Sequence, residues 1–179
     1  MPLFANIVFF KAGWLSSVLG GANHMPWIGP LAALIAVIAH LYFAKRPGAE
    51  IALIVICAAI GAVFDSMLVS AGLVSYTSGM FSESLAPYWI IGMWILFATT
   101  LNLSLSFLKG RLLLASAMGF VAGPMAYLGG AKLGGITLVD TNAALLALAI
   151  GWAVIMPGLT MLADRFSGFA SSEPAAELR

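Results

Sequence analysis

Charged side chains are unusually scarce in this 179-residue sequence, and their scarcity limits the kinds of protein that it can be. Only 8% of the residues are charged, whereas 62% are hydrophobic. Soluble domains carry about 25% charged residues, so this chain could not cover a water-facing surface. The net charge of +1 and the lack of a Lys/Arg cluster give no basis for nucleic-acid binding. The composition therefore predicts a membrane protein whose partners include membrane lipids.

Cysteine and histidine are rarer still, with one and two residues. The single cysteine, Cys57, lies inside an apolar run, so no intrachain disulfide can form. The two histidines, His24 and His40, do not have metal-ligand spacing, and we expect His40 at a membrane interface. The chain has no P-loop and no Gly-x-Ser-x-Gly elbow. We therefore predict no metal and no cofactor, and the sequence leaves open whether the protein is an enzyme.

Long apolar runs dominate the rest of the chain. A helix needs about 20 residues to cross the hydrocarbon core of a membrane. Transmembrane β-strands would instead show alternating hydrophobicity over about 10 residues, which these runs lack. The predicted fold class is an all-α, polytopic transmembrane bundle of six helices. The predicted helices cover residues 3–20, 27–44, 51–73, 87–108, 112–131 and 143–163.

The basic residues of the short loops predict the orientation of this bundle, because cytoplasmic loops are enriched in Lys and Arg. One side would carry five of these residues, and the other side only Lys132. The five are Lys45, Arg46, Lys109, Arg111 and Arg165. We therefore expect a multi-pass protein of the bacterial inner membrane with both termini cytoplasmic. Residues 1–163 would form the transmembrane domain, and residues 164–179 a polar, disordered cytoplasmic tail.

Polar side chains at membrane depth are the candidates for a ligand-binding site, because a charge at the centre of a helix costs about 2.5–3.5 kcal/mol on insertion scales. Lys11 lies about 12 Å into the first helix, and Asp65 about 21 Å into the third, at 1.5 Å per residue. Opposite charges in hydrocarbon strongly favour pairing, so Lys11 could pair with Asp65, either directly or through one polar group. The alternative is that Lys11 extends to the headgroups while Asp65 packs against a neighbouring helix. Depth alone adds Asn102 and Thr99 to the candidate site.

Small residues and prolines predict how the helices pack. Small residues let helices approach closely in lipid. The predicted packing positions are Gly61, Gly119, Gly123, Gly130 and Gly134. Pro124 and Pro157 fall inside helices and are predicted to kink or break them. An open alternative is that the fifth helix is broken and lines a site.

Motifs spread over residues 6–135 carry a resemblance to a known family. They are Asn6 with Phe10 to Trp14, Gly61 with Asp65-Ser66, Met93-Trp94 with Phe97 to Asn102, and Gly123-Pro124 with Tyr127. The chain resembles a family of small bacterial inner-membrane proteins of unknown function, DUF2878. The resemblance implies a membrane protein with no established activity. Such genes often lie beside cyclopropane-fatty-acid-synthase-like and flavin-oxidase-like genes, which implies a part in membrane lipid modification.

Three functions remain open on the sequence. The first is to bind, or help to modify, a membrane lipid or small lipophilic molecule, with Lys11 or Asn102 at the polar end of a cavity. The second is a small proton-coupled transporter that uses the Asp65 and Lys11 pair, which would need a wet path to Asp65. The third is a non-catalytic subunit, a homo-oligomer or a scaffold for a membrane partner, that packs through its fifth helix.

Overall fold

The computed structural model describes residues 1–169, and these residues form six α-helices and a small sheet. The helices are α1 (Leu3–Ala22), α2 (Ile28–Phe43), α3 (Pro47–Ser70), α4 (Tyr88–Leu101), α5 (Leu112–Lys132) and α6 (Thr141–Arg165). A 3₁₀ turn, Ser106–Leu108, follows α4. The prediction of six helices is confirmed. Four of them, α1, α3, α5 and α6, are long and apolar enough to cross a membrane, whereas α2 and α4 are apolar but shorter.

Two three-residue strands complete the fold, and the sequence did not predict them. They are β1 (Val74–Tyr76) and β2 (Ile136–Leu138). They pair antiparallel, with Ser75 opposite Thr137. Each strand follows a helix that ends in a glycine with positive φ, Gly72 at 68° after α3 and Gly134 at 85° after α5. Glycine adopts this left-handed conformation without a Cβ clash, so both helices stop sharply and turn into the sheet.

The sheet covers one end of the bundle, which we call the sheet end. The Ser78 hydroxyl, just after β1, donates to the Gly21 carbonyl of α1 over 2.6 Å. The opposite end, which we call the terminal end, holds the segment after α6, residues 166–169. There the backbone amides of Lys45 and Arg46 donate to the Gly168 carbonyl over 2.9 and 3.1 Å. Both ends of the bundle are therefore tied by contacts between distant parts of the chain.

Helix α4 lies at the centre of the bundle. Nine of its 14 residues are buried, and it packs against α1, α2 and α3. Helices α5 and α6 pack together along their length, and α6 also contacts α3. In contrast, α1 and α5 share few close contacts: Trp14 of α1 lies beside Gly129 of α5, and Val18 of α1 lies beside Gly135 just after α5. The α1 and α5 backbones are therefore separated by a gap over much of their length, with the Trp14 side chain between them.

Several predicted boundaries need correction. The fourth helix was predicted to reach residue 108, but α4 ends at Leu101 and turns follow. The hydroxyls of Thr99, Thr100 and Ser106 bond to carbonyls three residues earlier, and such bonds compete with regular helix formation. Helices α5 and α6 run through Pro124 and Pro157, so neither proline breaks its helix.

The first residues of the predicted cytoplasmic tail, 164–169, belong to the folded part of the chain. Asp164 and Arg165 belong to α6, and residues 166–169 pack against the bundle. The remaining part of the predicted disordered tail, residues 170–179, lies outside the described residues. The folded unit therefore extends at least to Phe169.

Candidate functional site

The Asp65 carboxylate organises a buried hydrogen-bond cluster near the sheet end. The side chain is 0% exposed on α3, five residues before the helix ends. The Tyr76 hydroxyl donates to Oδ1 over 2.7 Å, and the Trp94 indole Nε1 donates to Oδ2 over 2.6 Å. The Tyr127 hydroxyl also donates to Oδ1. Asp65 therefore joins α3 to β1, α4 and α5 through a single side chain.

Tyr76, the strand residue of this cluster, is a permanent hydrogen-bond donor. Burial, followed by the nearby Asp65 carboxylate, raises the pKa of the Tyr76 phenol well above its ordinary value. Tyr76 therefore keeps its proton at any physiological pH. Its ring packs edge-on against Trp89, with the ring centroids 5.6 Å apart. Strand β1 therefore holds the Tyr76 hydroxyl in a fixed position beside the Asp65 carboxylate.

Close packing at Gly61 sets the position of Trp94. Gly61 lies one helical turn before Asp65, so both residues face the same neighbour. A Cβ on Gly61 would overlap the Trp94 ring. Trp94 in turn stacks on Trp152 of α6, with ring centroids 4.8 Å apart and planes 7° apart. The absent side chain at Gly61 therefore lets the indole reach the carboxylate.

A cavity of about 440 Å³ lies beside this cluster, in the gap between α1 and α5. Its wall includes Trp94 and Tyr127, two of the three donors to Asp65. Helices α1, α4, α5 and α6 all contribute to the lining, which is mainly aromatic and aliphatic. Pockets of 300–1,000 Å³ with such linings are typical of small-molecule sites. We call this cavity the α1–α5 cleft.

Lys11 lines the cleft but does not pair with Asp65. Within the described residues, the two salt bridges are His40–Glu50 and Lys109–Asp164. Asp65 is not among the residues that line the cleft, because Trp94 and Tyr127 stand between it and the cavity. The direct ion pair considered from the sequence is therefore wrong. Lys11 remains exposed, with no hydrogen bond or ion pair in residues 1–169.

A second buried polar cluster lies at the terminal end, around Glu50. The Glu50 side chain is 0% exposed, and its Oε2 lies 2.8 Å from His40 Nε2. Its Oε1 accepts from Asn102 Nδ2 over 2.8 Å and from the Gly168 amide over 2.6 Å. His40 is fully buried in this pair. Its position at a membrane interface stays a prediction. The cluster fastens the segment after α6 to α2, α3 and α4.

The four ligand-binding candidates predicted from depth do not share one site. Lys11 lines the cleft, and Asp65 lies behind the cleft wall. Asn102 caps the end of α4 and belongs to the Glu50 cluster. The Thr99 hydroxyl bonds to its own helix at the Leu96 carbonyl, and the Thr99 carbonyl accepts from Asn6 Nδ2 over 3.0 Å. Equal depth therefore did not mean a shared position around the bundle.

Sequence reasoning missed Glu50 altogether and gave Tyr76 no role. Glu50 is the first acidic residue of the chain, and it follows a basic loop at the start of an apolar helix. That isolation was an available signal, because a lone acid at such a position needs a partner. Tyr76 offered no signal, because its contact with Asp65 depends on the turn at Gly72 and on pairing with β2.

The glycines predicted to pack helices contact residues within the chain. Gly119 and Gly123 lie against Trp152 of α6, and Gly130 lies against Ile136 of β2. Gly134 forms the turn into β2. The small-residue face of α5 is therefore directed largely to its own neighbours.

Comparisons with known proteins identify the family and give no activity. In residues 1–169 the structure shows no group of three or more His, Cys, Asp or Glu side chains placed to hold a metal ion. Neither the curated proteins nor the solved structures give a match. One family model, described as "Protein of unknown function (DUF2878)", matches residues 3–158. Because that match covers most of the chain and includes both the cleft and the Asp65 cluster, the protein belongs to the DUF2878 family.

Proposed function

We propose that all six helices cross a bacterial inner membrane, with both termini on the cytoplasmic side. The support comes from the basic residues, which gather at the terminal end of the bundle. Lys45 and Arg46 contact Gly168 there, and Lys109 Nζ lies 3.7 Å from Asp164. Positive residues mark the cytoplasmic side of membrane proteins. In this arrangement the sheet end faces the periplasm.

The two short helices fit this topology because of where they lie. Helices α2 and α4 have 16 and 14 residues, or about 24 and 21 Å at 1.5 Å per residue, which is less than a hydrocarbon core of about 30 Å. Non-helical backbone is tolerated at membrane depth where protein buries it. The turn at Asn102 is buried in this way, since Glu50 and residues 166–169 surround it.

The function that the geometry supports best is binding of a membrane lipid or small lipophilic molecule in the α1–α5 cleft. The observation that carries this proposal is the gap between α1 and α5. This gap holds an apolar, aromatic cavity between helices that would face lipid, and in our proposal the cavity opens sideways to the bilayer. A ligand could enter sideways from the bilayer without crossing an aqueous surface. Binding at this site would hold a lipid for storage, for presentation or for modification by another protein.

The two alternative functions have weaker support. A proton-coupled carrier needs water access to Asp65, whereas this carboxylate is 0% exposed and already accepts three hydrogen bonds. Such a carrier would also be expected to have a helix broken near Pro124 or Pro157, but both helices are continuous. A scaffold that uses the glycines of α5 has less surface to offer, because Gly119 and Gly123 already pack on Trp152.

The test is whether the purified protein retains a lipophilic molecule that depends on the cleft. Ala126 lines the cleft, so Ala126→Phe fills part of it. Ala59→Phe is the matched control, because Ala59 is exposed on a shallow groove between α3 and α6. Native mass spectrometry after mild detergent extraction would measure the bound molecules. We expect wild type and Ala59→Phe to retain the same ligand and Ala126→Phe to retain about tenfold less.

Two results would overturn the proposal. The first is a wild-type protein that carries no lipophilic molecule after extraction, even when purified with native lipids. The second is equal retention by Ala126→Phe and Ala59→Phe, which would place the bound lipid on the outer surface. Thermal unfolding of each variant shows whether the bundle is intact, and only variants that unfold like wild type are compared.

A further inference from the structure

Lys11 gives the α1–α5 cleft a single positive charge. Among the side chains that line the cleft, Lys11 and Tyr127 are the two that can ionise, and the Tyr127 hydroxyl already donates to Asp65. Lys11 has no hydrogen-bond or ion-pair partner within residues 1–169. An uncompensated ammonium in an apolar setting is costly, and an anion beside it lowers that cost. The electrostatics of the cleft therefore favour a ligand with a negative group.

The depth of Lys11 limits which anionic molecule can reach it. Lys11 lies eight residues beyond the start of α1, which is about 12 Å from the terminal end of the helix. The phosphate of a bilayer phospholipid lies at headgroup level. The four-carbon stem of lysine spans only part of the distance from the Lys11 backbone to that level. The phosphate of an intact phospholipid would therefore have to move into the hydrocarbon core to contact Lys11. A smaller amphiphile can place its anionic group at this depth.

The length and lining of the cleft limit the body of the ligand. Along α1 the lining runs from Phe10 to Val18, a rise of about 12 Å. Six of the fourteen lining side chains are aromatic, among them the stacked Trp94 and Trp152. Aromatic walls bury large apolar areas and favour a chain or ring packed against them. The cleft therefore encloses one short apolar body, whereas two full acyl chains would extend beyond it.

From charge, depth and size together, we infer that the ligand is a compact lipophilic anion, with one carboxylate or phosphate beside Lys11 and one short apolar chain or ring system against the aromatic wall. The inference rests on the proposed function, since it names the class of molecule that the same cleft would bind. It also gives Lys11 a specific role, which is to select a negative group.

The experiment uses brominated probes, because bromine quenches the fluorescence of nearby tryptophans and Trp14, Trp94 and Trp152 all line the cleft. The full chain in neutral-lipid nanodiscs is titrated with a terminally brominated medium-chain carboxylate and with its methyl ester. Lys11→Gln removes the charge, and Lys132→Gln is the matched control, because Lys132 ends α5 and does not line the cleft. Ala126→Phe reports on the cleft itself.

We expect the carboxylate to bind wild type and Lys132→Gln about tenfold more tightly than the ester does. Lys11→Gln should bind both probes with the weaker affinity, and Ala126→Phe should bind neither. Equal binding of the two probes by wild type, with both still lost in Ala126→Phe, would overturn the anion inference and leave the proposed function intact. Cleft-dependent quenching by a brominated phosphatidylcholine would also overturn it, by showing that an intact phospholipid fits. Probe binding that Ala126→Phe leaves unchanged would contradict the proposed function itself.

Discussion

Removal of the Asp65 carboxylate should destabilise the whole bundle and release the wall of the cleft. Asp65→Ala leaves the Tyr76 and Tyr127 hydroxyls and the Trp94 indole N–H without their acceptor. Asp65→Asn is milder, because its amide oxygen can still accept at one position. Its NH₂ group, however, would face another donor, either the indole N–H or the hydroxyls.

The expected magnitude follows from the number of bonds. Side-chain hydrogen bonds between membrane helices contribute on average about 0.6 kcal/mol each, with a maximum near 1.7. Three bonds lost together give a cost of about 2–5 kcal/mol for Asp65→Ala. Asp65→Asn loses one acceptor position and leaves a buried donor unsatisfied, a cost of about 1–3 kcal/mol. Tyr76→Phe removes a single bond to Oδ1 and should cost about 0.6–1.7 kcal/mol.

The assay is the free energy of unfolding in mixed micelles, followed by circular dichroism, together with probe binding in the cleft. Glu83→Ala is the control for loss of a carboxylate, because Glu83 is exposed in the loop before α4. We expect it to stay within about 0.5 kcal/mol of wild type. Tyr76→Phe separates stability from binding, because Tyr76 bonds to Asp65 but does not line the cleft. It should therefore lower stability and keep the probe affinity, whereas Asp65→Asn lowers both.

An Asp65→Ala protein with wild-type stability would refute this account of the cluster. So would an Asp65→Asn protein that binds the probe normally while its stability falls. The first result would mean that the three donors find other acceptors at no cost. The second would mean that Trp94 holds its position through its packing on Gly61 and Trp152 alone.

Three further predictions concern packing, the terminal end and topology. Gly61→Ala should destabilise the protein by about 1–3 kcal/mol in the same unfolding assay, because its Cβ overlaps the indole of α4, whereas Gly48→Ala, with nothing within 4 Å, should not. Glu50→Ala should release the segment after α6, and faster hydrogen exchange at residues 166–169 would show it; unchanged exchange would contradict the role of this carboxylate. A cysteine at Gly110 should react with an impermeant maleimide only when the cytoplasmic face is accessible, and one at Ser82 only from the opposite face; labelling of both from one side would rule out the six-span topology.

The helices could be predicted from the sequence because each apolar run has the length and continuity that a membrane helix requires. The strands could not, because three residues are too few to show an alternating pattern. Their pairing also depends on two turns, at Gly72 and Gly134, that lie 62 residues apart in the sequence. The end of α4 was missed for a different reason. Hydropathy stays high through Leu103 and Leu105. A hydropathy profile does not detect the local side-chain hydrogen bonds that compete with the helix there.

The candidate site was harder to predict than the fold. Counting residues along a helix gives the depth of a side chain, but it does not give its position around the bundle. Lys11 and Asp65 were therefore placed at compatible depths, although Trp94 and Tyr127 separate them. The isolated Glu50 signalled that it needs a partner, but the sequence could not identify the partners, because one of them is a backbone amide, that of Gly168. A backbone partner carries no residue type by which it could be recognised.

The bond between Glu50 and Gly168 has a consequence for the order in which the protein is made. The two residues are 118 positions apart, so the ribosome completes α3 long before it reaches the amide that Glu50 accepts from. Asn102, the other amide partner, also emerges 52 residues after Glu50. Until then the carboxylate has only His40 beside it, from the preceding helix. Nascent α3 therefore forms before two of the partners of Glu50 exist, and synthesis of residues 166–169 is the step that completes them.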